Sequence, residues 1–215
     1  MTPDQSNPSI VQPLGRSHNL TILTLSDFVD KDLTHRVEKG QLPPLDLIIS
    51  CGDMAPEYLT FLRNRLECPL FYVKGNHDIR YTQSNPVGCE DIHARVVSLG
   101  SLNILGLEGS MWYNGGPNQY TEKMMKKIIF WTGFQIRRKR PIHMVITHAA
   151  PRNIHDGKDL CHMGFESFGR LMEKHHPDYL IHGHIHRTFN TFNDRVTRVH
   201  DTRVINTCGY MIIEV

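Results

Sequence analysis

Several features that would narrow the function at once are missing from this 215-residue chain. No apolar run approaches the ~20 residues of a membrane-spanning helix. The cysteines, Cys51, Cys68, Cys89, Cys161 and Cys208, are odd in number and form no CxxC pair. That argues against a disulfide framework and a structural zinc site, and for reduced thiols in a cytoplasm. Charge is nearly balanced, 24 Lys and Arg against 22 Asp and Glu, too mild an excess to argue for nucleic acid. Residues 1–18 lack a basic-then-apolar pattern and read as a mobile polar tail, not a signal peptide. Residues 19–215 show no linker, repeat or low-complexity segment, and their length suits one domain with a sizeable core. What the chain has in excess is histidine, 14 residues, a side chain suited to metal ligation and acid–base chemistry.

Apolar runs that end in polar turns set the pattern. Residues 20–25 end in Ser26 and Asp27, residues 46–50 in Cys51-Gly52-Asp53, and residues 70–73 in Gly75-Asn76-His77-Asp78. Residues 142–147 end in His148, and residues 179–181 run into His182-Gly183-His184-Ile185-His186. Helical patterns cover residues 32–39, 56–67, 121–139 and 165–175. The third has Met124, Met125, Ile128, Ile129 and Trp131 as its apolar component; the fourth turns Phe165, Phe168, Leu171 and Met172 inward. The basic run 137–140 is a solvated helix end. Residues 81–94 read as a loop, 96–97 and 102–107 as strands, and 189–192, 195–199, 202–206 and 210–213 as short strands of a closing meander. Strands alternating with helices predict a parallel α/β sheet, which gathers ligands at the carboxyl ends of its strands.

Asp27, Asp53, Asn76 with His77, His148, His184 and His186 therefore converge on one edge. Each is bland alone, because solvated turns favour Asp and Asn; the repetition at strand ends gives them weight. In a regular strand His184 and His186 share a face, and Gly183 marks a break in that regularity. The HGHIH segment is then either a metal site or a histidine-rich turn. Oxygen and imidazole donors suit Mn, Fe, Zn or a similar divalent ion, and a two-metal site of net positive charge suits an anionic phosphate.

In order and type these motifs resemble the calcineurin-like metallophosphoesterases. That family's pattern is Asp-x-His, Gly-Asp, Gly-Asn-His-Asp/Glu, a lone His after a strand, and Gly-His-x-His. Here the pieces are Asp27, Gly52-Asp53, Gly75-Asn76-His77-Asp78, His148 and Gly183-His184-Ile185-His186. The resemblance implies a four-layer α/β-β/α sandwich of two mixed sheets flanked by helices. It implies a phosphoric ester hydrolase with two divalent ions, Mn, Fe, Zn or Ni. Asp27 and His186 would hold the first ion, Asn76, His148 and His184 the second, with Asp53 bridging them. A hydroxide bridging the ions would be the nucleophile, and His77 would lie beside the scissile phosphate. One position departs: Val29 stands where the first motif has histidine. Asp30 is placed either to substitute for it or to cap the following helix.

The loop after His148 supplies the substrate-side candidates, His162 and Arg152, with Asn76 doubling as a substrate contact. Tyr113 and Asn114 are weaker candidates on the same logic. Met54-Ala55-Pro56 after Asp53 departs from the arginine-rich protein Ser/Thr phosphatase branch. The expected substrate is a small phosphodiester or phosphomonoester, with no membrane and no nucleic acid as partner. The alternative is a catalytically weak or inactive relative that acts as a protein-binding scaffold, and Val29 is the residue that speaks for it.

Overall fold

The computed structural model describes residues 20–186, 189 and 191–215; the expected tail, residues 1–18, lies outside them. In chain order the elements are β1 (Thr21–Ser26), α1 (Lys31–Glu38), β2 (Leu47–Ser50), α2 (Pro56–Leu66), β3 (Leu70–Tyr72), β4 (Glu90–Asp91), β5 (Arg95–Leu99) and β6 (Leu102–Leu107). There follow β7 (Ser110–Met111), β8 (Gln119–Tyr120), α3 (Glu122–Arg138), β9 (Met144–Thr147), α4 (Glu166–His175), β10 (Tyr179–His182), β11 (Val196–Val199), β12 (Thr202–Asn206) and β13 (Gly209–Glu214). One large sheet has the order β13-β1-β2-β3-β4 and the other β11-β12-β10-β9-β6-β5, while β7 and β8 pair by themselves. The inner strands pair in parallel, while β13, β11 and β5 add antiparallel edges.

Alternation along each strand produces the layers, because successive side chains face opposite ways. Leu47 and Ile49 of β2 meet Met144 and Ile146 of β9 and Ile181 of β10 in a core between the sheets. Ile48 faces the opposite way, onto Leu33 of α1 and Leu59 of α2. Val145 and Leu180 face Phe168, Leu171 and Met172 of α4 and Met125 of α3. The result is helix, sheet, sheet, helix, as the family resemblance implied. Helix ends also follow their chemistry. Pro56 opens α2, where its missing N–H costs nothing. Asp30 caps α1, its Oδ1 accepting from Asp32 N–H at 2.8 Å and Leu33 N–H at 3.1 Å.

Four local expectations are corrected. Residues 210–213 do not extend a meander: β13 leaves the second sheet and pairs antiparallel with β1, from Thr21 opposite Glu214 to Ser26 opposite Gly209. This covers an edge of β1 that would otherwise be open. Of the expected strand 189–192, residue 190 lies outside the described residues, and Phe192–Arg195 forms a 3-10 turn. Thr191 and Asp194 bond reciprocally there, which competes with a strand ladder. Residues 81–94 are not wholly loop, since the 3-10 turn Ile79–Thr82 and β4 enter them. Finally, α3 buries a narrow line, Met125, Thr132 and Ile136. Met124 and Trp131 each sit one residue, about 100°, off that line and face solvent, beside exposed Phe130 and Phe134.

Because Asp30 serves α1 as its cap, Asp30→Ala is expected to cost about 1 kcal/mol of stability in urea unfolding. Bound metal per chain is expected to stay at the wild-type value; a loss of metal would assign Asp30 to the ion.

Candidate metal centre

Parallel strands place their following turns on one edge, and five of these turns meet there. Asp27 follows β1, Asp53 follows β2, Asn76 and His77 follow β3, His148 follows β9, and His184 and His186 follow β10. Three of these residues occupy the left-handed region that side chains with a Cβ seldom adopt: Asp27 at φ 73°, Asp53 at 56° and His184 at 66°. Such strain, about 1–2 kcal/mol per residue, collects at functional sites. The turns also approach closely. A Cβ on Gly75 would lie 2.0 Å from Asp53 Oδ1, and one on Gly52 would lie 2.7 Å from His148 Nδ1.

Hydrogen bonds then orient the donors. Buried Asp78 is not itself turned on the cluster. Its Oδ2 accepts from Asp53 N–H at 2.8 Å and from Gly75 N–H at 2.7 Å, tying two turns together. Asp53 Oδ1 accepts from His77 N–H at 2.8 Å. Asp27 Oδ1 accepts from His184 N–H at 2.9 Å, and its Oδ2 accepts from Ser26 Oγ–H at 2.6 Å. His148 Nδ1–H donates to Cys51 O at 2.7 Å, which aims Nε2 at Asn76 Oδ1, 3.1 Å away, and Asp53 Oδ2, 3.3 Å away. His184 Nε2–H donates to Cys161 O at 2.8 Å, leaving Nδ1 with its lone pair. A backbone carbonyl behind an imidazole is a common support for a metal ligand. His186 Nε2 lies 3.3 Å from Asp27 Oδ1.

Two groups of donor atoms result, each within 4.8 Å of one another: Asp53, His148 and His184, and Asp27, His186 and Cys208. A third, Cys161 with His162, shares His184. Electrostatics fit a cation. Burial opposes the charge on Asp53, yet neighbouring His148 holds its carboxyl down at about 2. Asp27 is also held below the usual range, by His186 and His148 against its burial. His148 is fully buried, which disfavours its charge, but Asp53 and then Asp27 push it up to about 9. Burial and the His148 charge push His184 down to about 4, keeping it neutral. Without an ion, the His148 imidazolium supplies the positive charge that the two carboxylates need. Asp78, by contrast, is pushed up to about 7 by burial despite its two N–H donors.

Asp27, Asp53, Asn76, His148, His184 and His186 are thus brought together, and His77 stands exposed beside them. The His162 ring lies tilted at 5.0 Å from the His184 ring, its Nδ1 held by Asp159 at 2.9 Å. Tyr113 accepts from Asn76 Nδ2 at 3.2 Å, so it touches the cluster. Asn114 instead holds its own turn, accepting from Gly116 N–H and Gln119 Nε2. Arg152 is tied by its N–H to Phe165 O, and among the described residues its guanidinium makes no hydrogen bond or ion pair with the cluster. His182 lies behind it, bonded to Gly183 O and to His155. Cys161 and Cys208 were not foreseen. The signal for Cys208 was its place after an apolar strand, in Thr207-Cys208-Gly209.

Two measurements follow from this geometry. A histidine raised from 6.5 to about 9 stabilises the fold fully below pH 6.5, and that contribution is lost as pH rises through about 9. Chelator-treated protein is therefore expected to show a urea midpoint that falls between about pH 7 and 9, and saturating Zn²⁺ is expected to flatten that fall. Asp78→Ala, which frees both turns, is expected to weaken metal binding about 10–100-fold in a competition titration.

Comparison with known proteins gives a consistent picture. Among curated proteins no sequence match is found. Among solved structures, TT1561 of Thermus thermophilus superposes with a TM-score of 0.60 at 14% identity, over 89% of this chain and 90% of that one. GAP50, the anchor in the inner membrane complex of Plasmodium, superposes with a TM-score of 0.50 at 14% identity, over 87% of this chain and 70% of that one. At such identities the likeness is one of fold. The profile of the calcineurin-like phosphoesterases matches residues 17–188, a span that includes the strand-end motifs from Asp27 to His186. The chain belongs to the calcineurin-like phosphoesterase family.

Proposed function

We propose that the protein hydrolyses a small phosphomonoester or phosphodiester with two divalent ions held at this strand edge. The observation that carries the reading is the pairing of donor groups: Asp53 with His148 and His184, and Asp27 with His186 and Cys208, each within 4.8 Å. Asp27 and His186 would hold one ion and Asn76, His148 and His184 the other. By the family resemblance Asp53 would be shared between them; its Oδ2 lies 3.3 Å from His148 Nε2. When bound, such ions polarise phosphoryl oxygens and acidify a water for attack.

The chain's own residues do the rest. The backbone N–H of His77 is anchored on Asp53 while its ring is exposed, which suits it to stabilise the phosphate or protonate a leaving oxygen. A concavity of about 160 Å³ opens beside it, walled by Ala55, Pro56 and Arg80, a size for a small leaving group. His162, beside the His184 ring, and Tyr113, bonded to Asn76, also reach the cluster. The five free thiols suit a cytoplasmic setting, and among the described residues no helix is long and apolar enough to cross a membrane.

Protein purified without chelator is expected to carry about two ions per chain and to turn over bis-p-nitrophenyl phosphate or p-nitrophenyl phosphate with Mn, Fe, Zn or Ni added back. Asp53→Asn should abolish that turnover, and His77→Ala should lower kcat about 10²–10⁴-fold. Val29 favours the competing reading, a binding scaffold; protein with no metal and no turnover in any condition would overturn the hydrolase reading and leave that one.

A further inference from the structure

Val29 leaves the ion nearest Asp27 short of a donor, and Asp30 is committed to its helix cap. The chain approaches the same place from its other end. β12 stops at Asn206, and Thr207-Cys208-Gly209 carries the backbone across to β13. There Cys208 forms a β-bridge with Ser26, the neighbour of Asp27. Its backbone is fastened on both sides. The N–H donates to Asn206 Oδ1 at 2.9 Å, and the carbonyl accepts from Arg195 Nη1 at 2.6 Å. The residue is 5% exposed, and its Sγ falls in one group of donor atoms with Asp27 and His186.

Sγ of Cys208, a carboxylate oxygen of Asp27 and a ring nitrogen of His186 lie within 4.8 Å of one another. A tetrahedral ion with bonds of about 2.1 Å to oxygen and nitrogen and about 2.3 Å to sulfur sets its ligand atoms roughly 3.4–3.6 Å apart. A small inward movement of the three groups closes that shell. We propose that Cys208 is the thiolate ligand of the first ion, taking the place of the histidine that Val29 displaces. The inference rests on the metal-dependent reading above. Binding exchanges the thiol proton for the ion, forming one sulfur–metal bond and releasing one H⁺ to solvent.

Its consequence is a centre with two unlike halves. The first has sulfur, nitrogen and oxygen donors and prefers a softer ion such as Zn²⁺; the second, Asp53, Asn76, His148 and His184, has only nitrogen and oxygen.

The test is a Co²⁺ titration of the full chain, followed by absorption and by metal analysis. The wild type is expected to develop a thiolate-to-cobalt charge-transfer band in the near ultraviolet. Cys208→Ser should lose the band and bind one of its two ions at least about 10-fold more weakly, whereas Cys161→Ser should keep it. Adding Val29→His to Cys208→Ser should restore the lost affinity without restoring the band, which shows that both positions serve one ion. Two cobalt ions bound without a band, or a band that survives in Cys208→Ser, would overturn the assignment and leave the metal-dependent reading standing. A wild type that binds no cobalt would overturn both.

Discussion

Two carboxylates buried side by side cannot both stay ionised without a cation between them. The Asp27 side chain is fully shielded from solvent and that of Asp53 nearly so. Everything around them answers this requirement. Backbone N–H groups from His77 and His184 point at their oxygens. The His148 ring, locked by Cys51 O, brings a proton to the space between Asp53 and Asn76. A protein that folded only to be stable would replace such a cluster by apolar side chains. Holding it in left-handed turns and around an imidazolium costs stability, and such costs collect at functional sites.

The arrangement also explains why two sheets are needed. Asp27, Asp53 and Asn76 come from the first sheet, and His148, His184 and His186 from the second. The donors therefore straddle a seam, and the apolar side chains packed in that seam, Ile49 against Ile146 and Ile181, set the spacing between the carboxylates and the imidazoles. A close-packed interior is poorly compressible, so the core acts as a fixed spacer for the chemistry at its rim.

Much of this was legible in the sequence, for a definite reason. Asp27, Asp53, Asn76, His148 and His184 each follow a short apolar run, and parallel connectivity sends every such residue to the same edge. Residues whose placement depends on a distant partner were not legible. Cys208 sits among small residues and reads as ordinary until β13 is seen to pair with β1. Asp78 looks like another ligand in its motif, but its two backbone bonds show it to be the tie between turns. Trp131 belongs to an apolar helical stripe by periodicity, yet the sheet covers only one line of α3, so it faces out. The choice between the two uses of Asp30 turned on local geometry alone, the distance from its carboxylate to the α1 N–H groups.

The return of β13 to β1 bears on how the molecule comes into being. Asp27 lies near the beginning of the described chain and Cys208 near its end, and their meeting depends on a strand crossing from one sheet to the other. Contacts so distant in sequence form late, after the loop entropy of nearly the whole chain has been surrendered. The contact of Asp27 with Cys208 is consequently a reporter of completion. Nascent or truncated chains present Asp27 and its neighbours without the enclosing thiol, and only the fully assembled sandwich offers the closed set of donors. The meeting of Asp27 with Cys208 and correct threading of the final strand are, in this architecture, one event.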